Sequence, residues 1–157
     1  MGIDPGLARL GYGAVEQSGN TLRASNYGCI ETKPNMPFTE RLLVLYASLQ
    51  EQIELCRPDI VSIERLFFGK NVKTAEYVYQ ARGVIMLLIA QKGLPALELT
   101  PTGIKRAVCG DTKADKHTIQ EAVRDILSLD DIPRPDDTAD ALAAAVAGLS
   151  LYTKGDV

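Results

Sequence analysis

The sequence predicts an α/β protein built on one mixed five-stranded sheet with helices on both faces. Three observations carry this. Strand-like stretches come first, as a meander. Later short apolar strands alternate with helix-length segments. One of those segments, Phe38 to Cys56, repeats its apolar residues at helical spacing.

The elements follow in order. Ile3-Asp4 ends a short strand, and Pro5-Gly6 stops it. Residues 11–17 and 22–32 are two more strands, with Ser18-Gly19-Asn20 as the turn of a hairpin. Phe38, Leu42, Leu45, Leu49, Ile53 and Cys56 form one stripe of the first helix, which ends at Arg57-Pro58. Asp59 to Glu64 is a strand that terminates in an acid. Leu66 to Asn71 reads as a loop. A helix over about Thr74 to Lys92 follows. Its segment Val84 to Ala90 is apolar on every side, which predicts a buried central helix or a subunit interface.

Leu94 to Leu99 is the last strand. Thr100 caps a short helix with Pro101 at its first position, and Gly110 ends it. A helix from about Asp115 carries Ile119, Val123, Ile126 and Leu127 on one side. Leu129 to Asp136 is a connector stiffened by Pro133 and Pro135. A final alanine-rich helix runs from Asp137 to about Tyr152 and is able to pack closely.

At 157 residues the chain is expected to form a single domain, residues 1–157. Val84–Ala90 and Ala141–Leu149, the longest apolar runs, are far shorter than the roughly 18 residues of a membrane span. No basic stretch followed by an apolar one opens the chain, so a cytoplasmic location is expected. The three cysteines, Cys29, Cys56 and Cys109, are odd in number and scattered, which argues against disulfides and zinc and for buried free thiols. His117 is the lone histidine, so reactive chemistry has to come from carboxylates, lysines or hydroxyls.

Charge is unevenly spread. Residues 1–64 hold 5 Lys+Arg against 8 Asp+Glu, residues 65–124 hold 10 against 5, and residues 125–157 hold 2 against 7. A basic middle lies between two acidic ends. If the acidic ends meet and bind cations, a net charge of −3 does not prevent binding of a polyanion.

Four acids stand at element ends: Asp4, Glu64, Asp137 and Asp140. Each alone has a structural explanation. Asp4 and Glu64 are ordinary strand-end residues; Asp137 would cap the last helix, and Asp140 would sit in its first turn. Together they suggest more. Asp4 and Glu64 end strands that could be neighbours, and Asp137 and Asp140 share one helix face. Clustered carboxylates repel one another unless a cation compensates. An all-oxygen set suits Mg²⁺ or Mn²⁺. Two such ions, about 3.5–4 Å apart, form the clamp of phosphodiester hydrolysis, one activating water and the other stabilising the leaving oxygen. Lys105 and Lys116 could contact a phosphate, as against being solvated surface charges. Phe67 and Phe68 could stack on bases, as against packing in a core. Arg65, Lys70, Lys73 and Arg82 could extend a phosphate track.

The chain resembles the RuvC-type Holliday junction resolvases (crossover junction endodeoxyribonucleases) nearly end to end. The resemblance lies in Gly2-Ile3-Asp4-Pro5-Gly6, Ile63-Glu64-Arg65-Leu66-Phe67, Gln80-Ala81-Arg82-Gly83-Val84, Lys105 with Lys116, and Asp137-Thr138-Ala139-Asp140-Ala141-Leu142-Ala143. It implies an RNase H-like fold and a homodimer. It implies Mg²⁺-dependent paired symmetric nicking of four-way DNA junctions, in homologous recombination and repair. Asp4, Glu64, Asp137 and Asp140 would be the ligands of two Mg²⁺, with Mn²⁺ able to substitute. Lys105 and Lys116 would be basic residues at the scissile strand, and Phe67 would engage bases near the crossover. A branch-migration motor of the RuvAB type would be the functional partner. The chain departs from the family's pattern in having only Met1, Gly2 and Ile3 ahead of Asp4, where relatives carry a few more residues. Some relatives have histidine where this chain has Asp140.

Two other readings share some of these features. One is an RNase H-like nuclease acting on RNA–DNA hybrids or flaps, which the carboxylates alone would equally serve. The other is a fragment of an actin-like ATPase, which Gly2 to Gly13 faintly resembles, although 157 residues leave little room for its second phosphate loop. A binding module without activity would gain nothing from clustered acid.

Overall fold

A computed structural model describes residues 1–65 and 72–152, the side chains of residues 72–75 excepted. The element order is β1 (Gly2–Asp4), β2 (Arg9–Ser18), β3 (Thr21–Glu31), α1 (Phe38–Cys56), β4 (Val61–Glu64), α2 (Val72–Gln91), β5 (Ala96–Leu99), α3 (Pro101–Cys109), α4 (Lys116–Ile126) and α5 (Asp136–Tyr152). The five strands form one mixed sheet in the order β3-β2-β1-β4-β5. The hairpin β2–β3 pairs antiparallel, with Ser18 opposite Thr21 across the Gly19-Asn20 turn. β1 lies antiparallel to β2 and parallel to β4, with Ile3 opposite Ile63. One residue beyond that pair, Asp4 and Glu64 end their strands side by side.

Strand alternation sorts the side chains onto two faces. Ile3, Leu10, Val61 and Ile63 join one core with Leu45, Leu49 and Ile53 of α1 and Ala81, Ile85, Leu88 and Ile89 of α2. Their neighbours Gly2, Asp4, Gly11, Gly13, Ser62 and Glu64 point to the opposite face, against α5. There Leu99, Leu142, Val146 and the α5 alanines form a second core with Ile104 and Val108 of α3 and Val123 and Leu127 of α4.

The Thr100 cap and the Gly110 stop read from the sequence are present. Thr100 Oγ1 accepts from the Gly103 N–H at 3.0 Å, and Gly110 closes α3 at φ 71°. Asp115 Oδ1 accepts from the Thr118 N–H at 2.8 Å and caps α4.

Three expectations need correction. The central buried helix is α5, in which ten consecutive or near-consecutive residues from Thr138 to Gly148 are buried. α2 buries one stripe and leaves Leu87 56% exposed. The all-round apolar pattern of α2 therefore marks a helix with an uncovered outer face, whereas alanines hide the interior character of α5. Second, α5 begins at Asp136, so Asp137 is its second residue rather than its cap, and Asp140 is its fifth, just past the first turn. Third, the cysteines are free but half-buried.

Close approach of α5 to the sheet rests on missing side chains. A Cβ at Gly11 would fall on the main-chain carbonyl of Asp137, and one at Gly2 would fall on that of Ala141. With glycine at both places the α5 backbone lies directly on β1 and β2. This sets the height of Asp137 and Asp140 above Asp4.

Candidate metal and nucleic-acid site

The site lies at the end of the sheet where β1 and β4 stop. Asp4 and Glu64 reach it from the strands, and Asp137 and Asp140 from the first two turns of α5. All four are partly buried. Their mutual influence is visible in the electrostatics. Burial pushes the Asp4 carboxyl up to about 7, and the charges of Asp140, Glu64 and Asp137 push in the same direction. Burial and then Asp140 also raise Glu64, against the opposing pull of Lys105. Burial raises Asp140, in part offset by Lys116.

Side-chain cations already lean on this acid. Lys116 Nζ stands 3.2 Å from Asp140 Oδ2 and 3.2 Å from Asp136 Oδ2. These carboxylates raise the Lys116 ammonium, overcoming the downward effect of its burial. Arg9 Nε lies 3.1 Å from Asp137 Oδ2. That oxygen is screened from solvent and takes no hydrogen bond, so the contact is one of charge rather than of direction.

The donor chemistry fits a hard divalent cation. The groups are carboxylates without histidine or cysteine, one buried oxygen lacks a hydrogen-bond donor, and the Asp4 carboxyl titrates far above its usual range. Among the described residues, no three His, Cys, Asp or Glu side chains stand together as a finished metal cage. Asp137 is paired with Arg9, and Asp140 with Lys116.

The two expected lysines differ in their contacts. Both line a cavity of about 230 Å³ with Glu64, Asp140, Ile104 and Ile119. Lys116 bridges carboxylates. Lys105 donates to the Ala114 carbonyl at 2.7 Å and so ties α3 to the loop that leads into Lys116.

Of the other expected contacts, Arg65 and Arg82 converge on one acid. Arg82 Nη2 lies 2.6 Å from Glu98 Oε2, and Arg65 Nε lies 4.0 Å from the same oxygen. Arg82 is thus committed to an ion pair beside β5. Phe67, Phe68 and Lys70 lie outside the described residues, as does the side chain of Lys73.

Sequence reasoning missed Arg9, Asp136 and Gly11. Arg9 opens a strand five residues after Asp4 without any motif to mark it. Asp136 was passed over for its neighbour. Gly11 and Gly13 carried a usable signal, since paired glycines in a strand mark close backbone approach.

Comparison with known proteins identifies the family and agrees with the fold. The family model for crossover junction endodeoxyribonuclease RuvC matches residues 1–148. The chain is 52% identical over 146 residues to the crossover junction endodeoxyribonuclease RuvC of Chloroflexus aggregans, covering 93% of this chain and 89% of that one. It is 50% identical over 146 residues to that of Desulfitobacterium hafniense, covering 93% and 88%. Its fold is similar to Thermus thermophilus RuvC solved in complex with a Holliday junction substrate. That match has a TM-score of 0.90 and 31% identity over 98% of this chain and 94% of that one. No helix among the described residues is long and apolar enough to cross a membrane.

Proposed function

The chain belongs to the family of crossover junction endodeoxyribonuclease RuvC, and from that premise we propose that Asp4, Glu64, Asp137 and Asp140 carry out its reaction. It is an endodeoxyribonuclease of DNA recombination and repair that resolves Holliday junctions on an RNase H-like fold. Like its family it uses divalent metal. The observation that supports the residue assignment is the convergence of these carboxylates at one end of the sheet, with Asp4 raised to about 7 by burial and by the other three.

Asp4 and Glu64 would hold two Mg²⁺ from the strand side, and Asp137 and Asp140 from the helix side, with Mn²⁺ able to replace them. Such ions supply an activated water and neutralise charge at the phosphate. The protein's own contribution is position and charge. β1 and β4 fix two carboxylates in parallel register. Gly11 sets the height of the other two. Lys116, once Asp140 turns away from it, presents its ammonium to the scissile phosphate. Lys105 holds the loop before Lys116 and keeps a positive charge beside Glu64. Arg65 and, outside the described residues, Phe67, Lys70 and Lys73 would extend the contact along the DNA; Arg82 supports Glu98 instead.

A homodimer fits a substrate that is itself close to two-fold symmetric, because paired cuts need two identical sites. The outer face of α2, with Leu87 and Gly83 exposed, is the surface we assign to it. Leu87→Arg should then sediment as a monomer with little loss of fold stability; an unchanged dimer would move the interface elsewhere. A motor complex of the RuvAB type would act with the dimer in a cytoplasmic setting, and residues 1–157 would act as a single domain.

The functional reading is tested by incubation with Mg²⁺ and three substrates: a four-way junction, linear duplex and an RNA–DNA hybrid. Symmetric nicks confined to the junction are expected. Cutting of the hybrid instead would favour the general RNase H-like reading.

A further inference from the structure

Asp137 lines a second cleft, of about 350 Å³, in which neither Lys105 nor Lys116 takes part. It is lined by the β1–β2 loop (Gly6, Leu7, Ala8) together with Arg9, Arg41, Tyr77 and Asp137. We propose that this cleft is a second phosphate subsite, in which Arg41 receives a backbone phosphodiester of the junction DNA on the side of the cut opposite Lys105 and Lys116. The proposal rests on the functional reading above and assigns a contact that reading does not use.

Four features support it. Arg41 is held in place from behind. Its Nε donates to Thr32 Oγ1 at 2.8 Å, and that hydroxyl donates to the Leu7 carbonyl at 2.6 Å. A guanidinium fixed through Nε keeps its two terminal nitrogens as a fork, the geometry that suits a phosphate. Among the described residues no carboxylate pairs with Arg41 within 4.0 Å, so its charge is uncompensated.

Asp137 is the cleft's acid, and Arg9 offsets it at 3.1 Å. The cleft therefore carries net positive charge from Arg41. Tyr77 is 48% exposed at the rim, where its ring is steadied by Phe38 with centroids 5.1 Å apart. A half-exposed aromatic beside a fixed guanidinium suits a nucleotide, whose phosphate meets the cation and whose sugar or base meets the ring. Asp137 lines this cleft, while Glu64 and Asp140 line the first with the two lysines, so one DNA strand spanning both would touch cations on both sides of the scissile bond.

The test is junction binding without cutting, measured in EDTA by fluorescence anisotropy over a salt series. Arg41→Gln should bind about tenfold more weakly, the worth of one charge-assisted hydrogen bond. The slope of log affinity against log salt should fall by about one. Arg41→Lys should keep the wild-type slope. Thr32→Val removes the tether but leaves the charge, and should keep the slope as well. A folded Arg41→Gln protein with wild-type affinity and slope would overturn the proposal. So would a Thr32→Val protein that reproduces the lowered slope, because the effect would then come from the loop. A second measurement needs no variant: junction DNA should protect Arg41 of the wild-type protein from phenylglyoxal, read by mass spectrometry. Equal modification of free and bound protein contradicts the subsite. Wild-type protein that fails to bind the junction would overturn the functional reading as well, whereas binding without an Arg41 effect would overturn the subsite alone.

Discussion

The two faces of the sheet are covered in opposite ways. On one face α1 and α2 meet the strands through bulky side chains, among them Leu45, Leu49, Ile85, Leu88 and Ile63. On the other, α5 meets β1 and β2 backbone to backbone, through Gly2 and Gly11. Side-chain packing is adjustable, since rotamers and small shifts absorb a change of volume in part. Backbone contact is not adjustable in that way. Asp137 and Asp140, the carboxylates proposed to react, ride on the helix with the stiffer support. The difference separates stability from positioning: the first face supplies much of the burial, and the second sets where charges stand.

Damage to the first face should therefore cost stability without costing chemistry. Leu49 is fully buried between α1 and the sheet. Leu49→Ala should lower unfolding free energy by about 2–5 kcal/mol in urea melts. The fraction that stays folded should cut junctions at the wild-type rate. A large loss of cutting by fully folded Leu49→Ala would erase the contrast between faces.

The second face carries a stability cost of its own. The folded Asp4 carboxyl titrates at about 7, the ordinary one at 3.8. Between those values the folded chain holds a proton that the unfolded chain has released. Metal-free stability should fall as pH rises through this window and level off above it. Asp4→Asn should flatten the dependence and stabilise the metal-free protein at pH 8 by up to about 4 kcal/mol. Urea melts in EDTA at pH 5 and pH 8 read this directly. A wild-type protein that gains stability between those pH values would contradict the burial and repulsion at Asp4.

Gly11→Ala probes the backbone contact with one methyl. It should cost about 1–3 kcal/mol of stability by overpacking. Its effect on cutting should be disproportionate, about 10²-fold, because the methyl displaces the start of α5 and with it Asp137. Unimpaired cutting would mean that the helix end tolerates movement.

Most of this architecture was legible in the sequence, and the exceptions share a cause. Helix α1 and the cap at Thr100 follow from local rules, and both match. The neighbouring strand ends of Asp4 and Glu64 were also foreseen, since both strands end in acid before a break. What local pattern could not reveal was which helix is central. Alanines in α5 look bland by hydrophobicity, and only the glycines opposite explain why small residues are needed. The charge partners were likewise hidden, because Arg9 meets Asp137 across more than a hundred residues of chain. The junction between Arg82 and Glu98 depends on β5 alternation, which places Glu98 on the α2 side of the sheet. Arg82, expected along a phosphate track, is paired with Glu98 there.

The central claim is that carboxylates carried by α5 act in cutting and not in holding the fold or the DNA. Asp137→Asn tests it most directly, because the amide keeps the shape and removes the charge. Junction affinity and nicking with Mg²⁺ would be measured on the same preparation. The account predicts binding within a few-fold of wild type and nicking reduced at least about 10³-fold, the scale of losing an essential group in a catalytic unit. Nicking at the wild-type rate would contradict it.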